Sequence, residues 1–430
     1  MGIYLTLILC LGLAEIVRRC ISSLMLAFTG PLSKIPGPFV SKLTRFPWAL
    51  ESIQGKHMNF THRLFQRYGD IVRVAPTTVL IADKAGIQKI LVEEDLVKAP
   101  FFDALRLHPG NPMLVTERNK ASHKSTDVMS ATSLGGSSHL VTSNDTKLKK
   151  TFVSILVKAA INGQFPYLRY IPFWPQPISA EMNRLLENVL KKRDIAGQPA
   201  KRDIVQIILD AHQTDPVGFP EIRMRDEITM FMVAGSETTS ASTTAILLHL
   251  VNNPAKLKLL EEEIESKFSE NDEITFAKLH DLPYLNAVIW EGLRLMTAPA
   301  GLLRYTEKPT IISGYEIPSN TIVQPWPMAL MKDPRIWPDA DSFIPERWLG
   351  VYKGVEANRS DVLAFSAGSR NCIGWQFAMR EMRLILARLV RRYELSLVEG
   401  QSHERRYHST PWFVQGFYKV GIKQRQPSHA

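Results

Sequence analysis

Cysteine is scarce in this chain of 430 residues: Cys10, Cys20 and Cys372 are its only three. The first two fall in the apolar N-terminal stretch. The rest of the chain holds one thiol and cannot close an intrachain disulfide with itself, which fits a reducing, cytosol-facing compartment. It also leaves Cys372 as the only thiolate that the globular part can offer a metal. Long hydrophobic runs are missing too. Residues 3–28 are apolar except for Glu15, Arg18 and Arg19, and the uninterrupted part before Glu15 is short for a span of about 20 residues. No basic residue precedes that run and no small-x-small cleavage site follows it, so an uncleaved membrane anchor over residues 1–29 is expected rather than a secretory leader. Arg18, Arg19 and Lys34 then place the remainder on the cytoplasmic side. The chain also lacks zinc-finger spacing, an RNA-recognition signature and a long unbroken basic run. Its excess of 52 Lys and Arg over 42 Asp and Glu, a formal charge of +10, therefore points to anionic lipid or acidic protein before nucleic acid. No G-x-G-x-x-G fingerprint for flavin or nicotinamide occurs.

What is present is the balance of a folded protein with a large core, 45% hydrophobic and 22% charged. Residues 30–40 are rich in proline, which fixes φ and prevents helix continuation, and read as a stiff hinge after the anchor. A helix is expected over His57 to Tyr68, then short strands over Ile71 to Val74 and Thr78 to Ala82. Helical periodicity dominates from about residue 145. It covers Lys147 to Ile161, Ala180 to Lys192, Asp203 to His212, Arg223 to Val251, Ala255 to Phe268 and Tyr284 to Met296. A Pro-rich region of strand and loop runs from Pro299 to Leu349, and a last helix ends near Arg392. No repeat or low-complexity linker splits residues 41–430, which read as one mainly α domain with a small β region.

The segment Phe365-Ser366-Ala367-Gly368-Ser369-Arg370-Asn371-Cys372-Ile373-Gly374 opens that last helix. A thiolate on iron gains from backbone N–H groups aimed at its sulfur, and a Gly-containing loop lets the chain wrap closely enough to supply them. The helix beginning just after the sulfur turns its positive end toward the anion. A lone cysteine is usually a small buried apolar residue, but here every fixed position of F-x-x-G-x-R-x-C-x-G is filled. The loop resembles the haem-binding loop of the cytochrome P450 family. The resemblance implies that fold, haem b as cofactor, Cys372 as axial ligand of the iron and Arg370 as partner of a haem propionate.

Two further motifs stand in the family's order. Glu291-Gly292-Leu293-Arg294 places a carboxylate and a guanidinium one turn apart on a helix, and Pro345-Glu346-Arg347-Trp348 resembles the family's P-E-R-[FW] segment. By that resemblance Arg347 joins Glu291 and Arg294 in a buried network that assembles the haem pocket. Ala234-Gly235-Ser236-Glu237-Thr238-Thr239 lies midway along the long helix. Its glycine weakens the helix, and the Thr238 hydroxyl can bond the Ala234 carbonyl, together opening a groove. The resemblance gives Glu237 and Thr238 the delivery of protons to dioxygen as it is reduced. Arg304 stands where the family often places a second propionate partner. His403-Glu404-Arg405-Arg406-Tyr407-His408 misses H-E-x-x-H by one residue and reads as a charged surface loop.

The resemblance departs over residues 111–138, where the chain is shortened. The family has there a basic helix with [WH]-x-x-x-R reaching a propionate. His123 stands for the first position, while Asp127 is an acid where the Arg belongs. The leading reading is an anchored monooxygenase at the endoplasmic reticulum, facing the cytosol. It inserts one oxygen atom from dioxygen into a lipophilic small molecule, with electrons from an NADPH-dependent flavoprotein reductase. The Pro-Gly-Pro entry and Pro-Glu-Arg-Trp-Leu-Gly resemble fungal secondary-metabolite enzymes of the family. Two rivals stay open: a haem-thiolate isomerase or dehydratase that does not use dioxygen, and an inactive, haem-poor remnant.

Overall fold

The computed structural model describes residues 2–108, 111–113, 116, 118, 154–155, 157–158, 161–165, 167–168, 171, 180–195, 203–269, 272–296, 302–355, 357–407, 411–415 and 417–425. Within them the chain is mostly helical with small sheets. It divides into two units, Met1–Ala99 with Gly301–Trp326, and Pro100–Ala300 with Pro327–Ala430.

The first unit holds helices α1 (Gly2–Phe28), α2 (Phe39–Leu43), α3 (Phe46–Ile53), α4 (His57–Tyr68) and α5 (Lys84–Gln88). Its strands are β1 (Ile71–Ala75), β2 (Thr78–Ile81), β3 (Val97–Lys98), β4 (Arg304–Thr306), β5 (Thr310–Ile312), β6 (Tyr315–Ile317) and β7 (Thr321–Pro325). Five of them form one sheet in the order β1-β2-β7-β4-β3, while β5 and β6 make a hairpin. The β2–β7 pair is parallel, from Thr78↔Ile322 to Ile81↔Pro325, and the other pairs are antiparallel. Every residue of β1 is buried, including Arg73. Its two terminal nitrogens donate to the carbonyls of Leu26, Leu32 and Pro76 at 3.0, 3.0 and 2.7 Å, which offsets part of the cost of burying the charge, while its Nε is buried without a partner. Burial pushes the Arg73 pKa below its ordinary value. The Pro-rich stretch packs on the same strand. Arg73 N–H donates to Pro36 O at 2.8 Å, and a Cβ on Gly37 would stand 2.3 Å from Arg73 O, which is why glycine lies between the two prolines.

The expected anchor is not shown as a membrane span. Residues 2–28 do form a single helix, but among the described residues no helix is long and apolar enough to cross a membrane. The cause is Glu15, Arg18 and Arg19, three charges within about one turn. Glu15 and Arg18 pair with each other at 2.6 Å on the exposed surface.

The second unit holds α6 (Ala180–Ile195), α7 (Ile204–Thr214), α8 (Glu221–Val251), α9 (Pro254–Lys267), α10 (Phe276–His280), α11 (Pro283–Leu295), α12 (Pro327–Met331) and α13 (Trp375–Arg392). Strand β8 (Tyr393–Leu397) pairs with β11 (Val420–Gln424), and β9 (Arg405–Tyr407) with β10 (Pro411–Phe413). Helices α8, α9, α11 and α13 pack on one another. The tract expected as a charged loop supplies β9 instead. Asp203 caps α7 by accepting from Gln206 N–H at 2.9 Å. Helix α11 has no side-chain cap of its own. Glu263 of α9 supplies one, accepting from the N–H groups of Tyr284 and Leu285 at 2.6 and 2.8 Å. From Tyr284 to Leu295 only Asn286 of α11 is not buried, so its polar side chains are held wholly by protein.

His249, near the end of α8, stacks on Phe343 with ring centroids 5.1 Å apart. Its Nε2 is buried without a hydrogen-bond partner. Burial, then the positive charges of Arg405, Lys332 and Arg294, lower its pKa to about 4. An unfolded histidine titrates near about 6.5. Between those values the unfolded chain binds the extra proton, so acidification favours unfolding. Stability should therefore fall by up to roughly 3 kcal/mol on this account as pH drops from about 6.5 to about 4. His249→Phe, which keeps the stack, should flatten that part of the curve. Identical pH profiles of the unfolding temperature would contradict the assignment.

Candidate active site

Cys372 sits between a turn and the start of α13. Its N–H donates to Phe365 O at 2.7 Å, closing the loop on itself, while Asn371 N–H donates to Gly368 O at 3.3 Å. The wrap needs two residues in the left-handed region, Ser366 at φ 62° and Gly368 at φ 74°. Gly368 adopts it freely, whereas Ser366 is strained by its Cβ. The Cys372 side chain is exposed. Even so, burial pushes its thiol pKa up, against a hydrogen bond from Gly374 N–H that lowers it. Trp375 and Phe377, in the first turn of α13, are 39% and 50% exposed.

Arg370, two residues earlier, is buried. Its Nη2 donates to the main-chain oxygen of Arg118 at 2.7 Å. The Arg118 guanidinium donates to Asp103 at 3.2 Å, and Arg106 holds the other oxygen of Asp103 at 2.6 Å.

Glu291, Arg294 and Arg347 come together with 0% exposure at each side chain. Arg294 grips Glu291 through two bonds of 2.9 Å, and Arg347 Nε donates to the same carboxylate at 3.1 Å. Ile344 N–H and Trp348 Nε1 complete it at 3.0 and 3.1 Å. The remaining guanidinium donors reach carbonyls: Arg294 those of Met331, Ala340 and Ser342, and Arg347 those of Pro338 and Asp339. The network touches the cysteine loop through aromatic packing. Trp290 meets Trp348 at 5.9 Å and Phe365, edge-on, at 6.4 Å.

Along α8 the helix is continuous through Gly235. A Cβ at Gly235 would meet nothing within 4 Å, so the glycine leaves open space there. The Thr238 hydroxyl donates to Ala234 O at 2.6 Å. Glu237 and Thr238 are half-buried. Three turns earlier Asp226 is buried and bonded to His108 Nδ1 at 2.7 Å. Burial raises the Asp226 pKa and His108 pulls it back.

The structure thus brings Arg370 beside Cys372 and unites Glu291, Arg294 and Arg347. Arg304 belongs to the first unit, buried in β4 opposite Lys98 and Val323. His123 and Asp127 lie outside the described residues, as do most of residues 111–138. Arg118 and Asp226 carried no signal in the sequence. The first stands in an undistinguished polar run, and the second shows its role only through a partner distant along the chain.

Comparison with known proteins gives the geometry its context. A family model described as Cytochrome P450 matches residues 97–420. The cytochrome P450 monooxygenase acrD of Aspergillus aculeatus is 30% identical over 86% of this chain and 87% of its own length. A cytochrome P450 monooxygenase of Gibberella moniliformis is 27% identical over 92% of this chain and 89% of its own. The monooxygenase mpsF of Macrophomina phaseolina is 32% identical over 73% and 78%. The family binds haem b through a cysteine thiolate. On the extent of these matches, the chain belongs to the cytochrome P450 family.

Proposed function

We propose that the protein is a haem-thiolate monooxygenase. It would insert one atom of dioxygen into a lipophilic small molecule, with electrons from an NADPH-dependent flavoprotein reductase. The observation that carries this reading is the Cys372 sulfur, set at the start of α13 with the Gly374 N–H directed at it and one side open to solvent. These are the needs of a soft axial ligand: low competition from protein donors, a hydrogen bond that disperses charge, and access for a large planar group. Haem bound there supplies the reduction and cleavage of dioxygen.

The chain's own groups have separate tasks. Cys372 would hold the iron, and Arg370 a propionate. The Glu291–Arg294–Arg347 network fixes α11 against the segment leading to the cysteine loop. Thr238, with its hydroxyl turned to Ala234 O, and the neighbouring Glu237 pass protons to the side of α8 that Gly235 leaves open. The lipophilic substrate would lie along the apolar part of α8 ahead of them, within Met230 to Thr239. Residues 41–430 would form the catalytic domain, acting at the cytosolic face of the endoplasmic reticulum, and the fungal origin of the relatives fits a tailoring step in secondary metabolism.

The decisive measurement is the carbon monoxide difference spectrum of the reduced, purified protein, which should carry the red-shifted thiolate band. Its absence would remove the reading. With reductase and NADPH, Thr238→Ala should lower product formed per NADPH by about 10²-fold, the low end for a lost proton-transfer group, with the electrons recovered as peroxide. Unchanged coupling would assign proton delivery elsewhere.

A further inference from the structure

We infer that the substrate carries a protonated amine at the end away from its oxidised carbon, and that Asp226 receives it. The inference rests on the lipophilic-substrate reading of α8 and narrows it to a class. Asp226, Met230, Val233, Glu237, Ser240 and Thr244 follow one another at spacings of four and three residues, so they share one face of α8. Ser240 and Thr244 are exposed there and Glu237 is half-buried. Asp226 and Glu237 stand eleven residues apart, about 16 Å along the axis. Between them Val233 packs with Leu107, Met113 and Met182, and Met230 lies against that cluster. One face thus presents a carboxylate, then an apolar stretch, then the proton-delivery pair.

Asp226 is short of partners for a buried charge. Its side chain is 1% exposed, yet its Oδ2 has no hydrogen-bond partner among the described residues. The two arginines nearest it along α8 are engaged elsewhere. Arg225 pairs with Glu221 at 2.8 Å, and the Arg223 guanidinium lies 5.4 Å from the centroid of the Phe219 ring. The side chain that does bond Asp226 is His108, through Nδ1 at 2.7 Å, and His108 is 40% exposed. Burying a carboxylate is costly unless it is paired, and burial already pushes the Asp226 pKa up. An ammonium N–H fills the vacant oxygen and supplies the missing countercharge. His108 can yield its place by turning into water, so neither group is left buried alone. A neutral hydroxyl in the same position brings no charge and gains much less.

The test is a calorimetric titration of the full-length holoprotein with N,N-dimethyldecylamine, protonated at neutral pH, and with n-decanol, its neutral counterpart. The two methyl groups hinder ligation of iron by the nitrogen. Wild type should bind the amine roughly 10- to 100-fold more tightly than the alcohol, the range for a hydrogen bond between charged groups. Asp226→Asn, which keeps an acceptor for His108, should erase that preference while holding the alcohol within about threefold of its wild-type affinity, as a double-mutant cycle requires of a direct pair. His108→Ala should keep the preference or enlarge it, because it removes the competitor and leaves the carboxylate. Three results would overturn the inference: equal binding of amine and alcohol by wild type, a preference that survives Asp226→Asn, or Asp226→Asn weakening both ligands alike. The last would assign Asp226 to the fold through its bond to His108. Failure of the wild type to bind either ligand would overturn the lipophilic-substrate reading and this inference together. Equal binding of both would overturn the inference alone.

Discussion

Glu291→Ala is expected to lower stability by about 3–5 kcal/mol, the cost of leaving buried charge without its partner. Arg294 and Arg347 have 0% exposure and would keep their charges with no anion to meet them. Ile344 N–H and Trp348 Nε1 would lose an acceptor as well. The carbonyls that receive the other guanidinium donors hold both arginines in place, so neither can swing out to water. Damage should also reach the haem site, because Trp290 packs on Phe365, and Phe365 O holds the N–H of Cys372. Haem content should therefore fall with stability. Glu291→Gln, which keeps the acceptor oxygen but not the charge, should lie between alanine and wild type. Glu394→Ala supplies the contrast: its pair with Lys423 is 52% and 76% exposed, and such pairs contribute about 0–1 kcal/mol. Denaturant midpoints of the three variants decide the matter. A Glu291→Ala midpoint no lower than that of Glu394→Ala would show that the network does not lock this unit.

The sequence carried this network only in part, and the reason is physical. Glu291 and Arg294 are one helical turn apart, so periodicity alone makes them neighbours. The partnership of Arg347 and Trp348 spans more than fifty residues. It was legible solely because Pro345-Glu346-Arg347-Trp348 resembles a family motif. The carbonyls of Met331, Ala340 and Ser342 left no trace, since any residue type offers a carbonyl. The same division runs through the fold. Helices α4, α8, α9 and α11 and strands β1 and β2 arise from apolar spacing and turn residues, with ends displaced by a residue or two. The sheet order β1-β2-β7-β4-β3 joins strands more than two hundred residues apart and has no local signature. Residues 1–29 mark the limit of apolar content as a guide. Their helix forms, yet Glu15, Arg18 and Arg19 keep it from the continuous apolar length that a span demands.

Cys372→Ser should abolish the thiolate band and monooxygenation while leaving the fold intact. The two effects separate because the loop does not depend on the sulfur. Its closure runs through the Cys372 N–H to Phe365 O, and its wrap through the positive φ of Ser366 and Gly368, none of which the substitution touches. The side chain is exposed, so exchanging sulfur for oxygen opens no cavity in the core, and stability should stay within about 0.5 kcal/mol of wild type. An alcohol, however, does not ionise near neutral pH and gives iron no electron push, so the red-shifted band of the reduced carbon monoxide complex has no source. The other two cysteines are both in α1, and Cys10→Ser with Cys20→Ser should leave the band at full height. An intact band in Cys372→Ser would mean that the iron takes its ligand from elsewhere. Loss of fold along with loss of the band would mean that the sulfur also holds the loop, against the hydrogen-bond pattern that closes it.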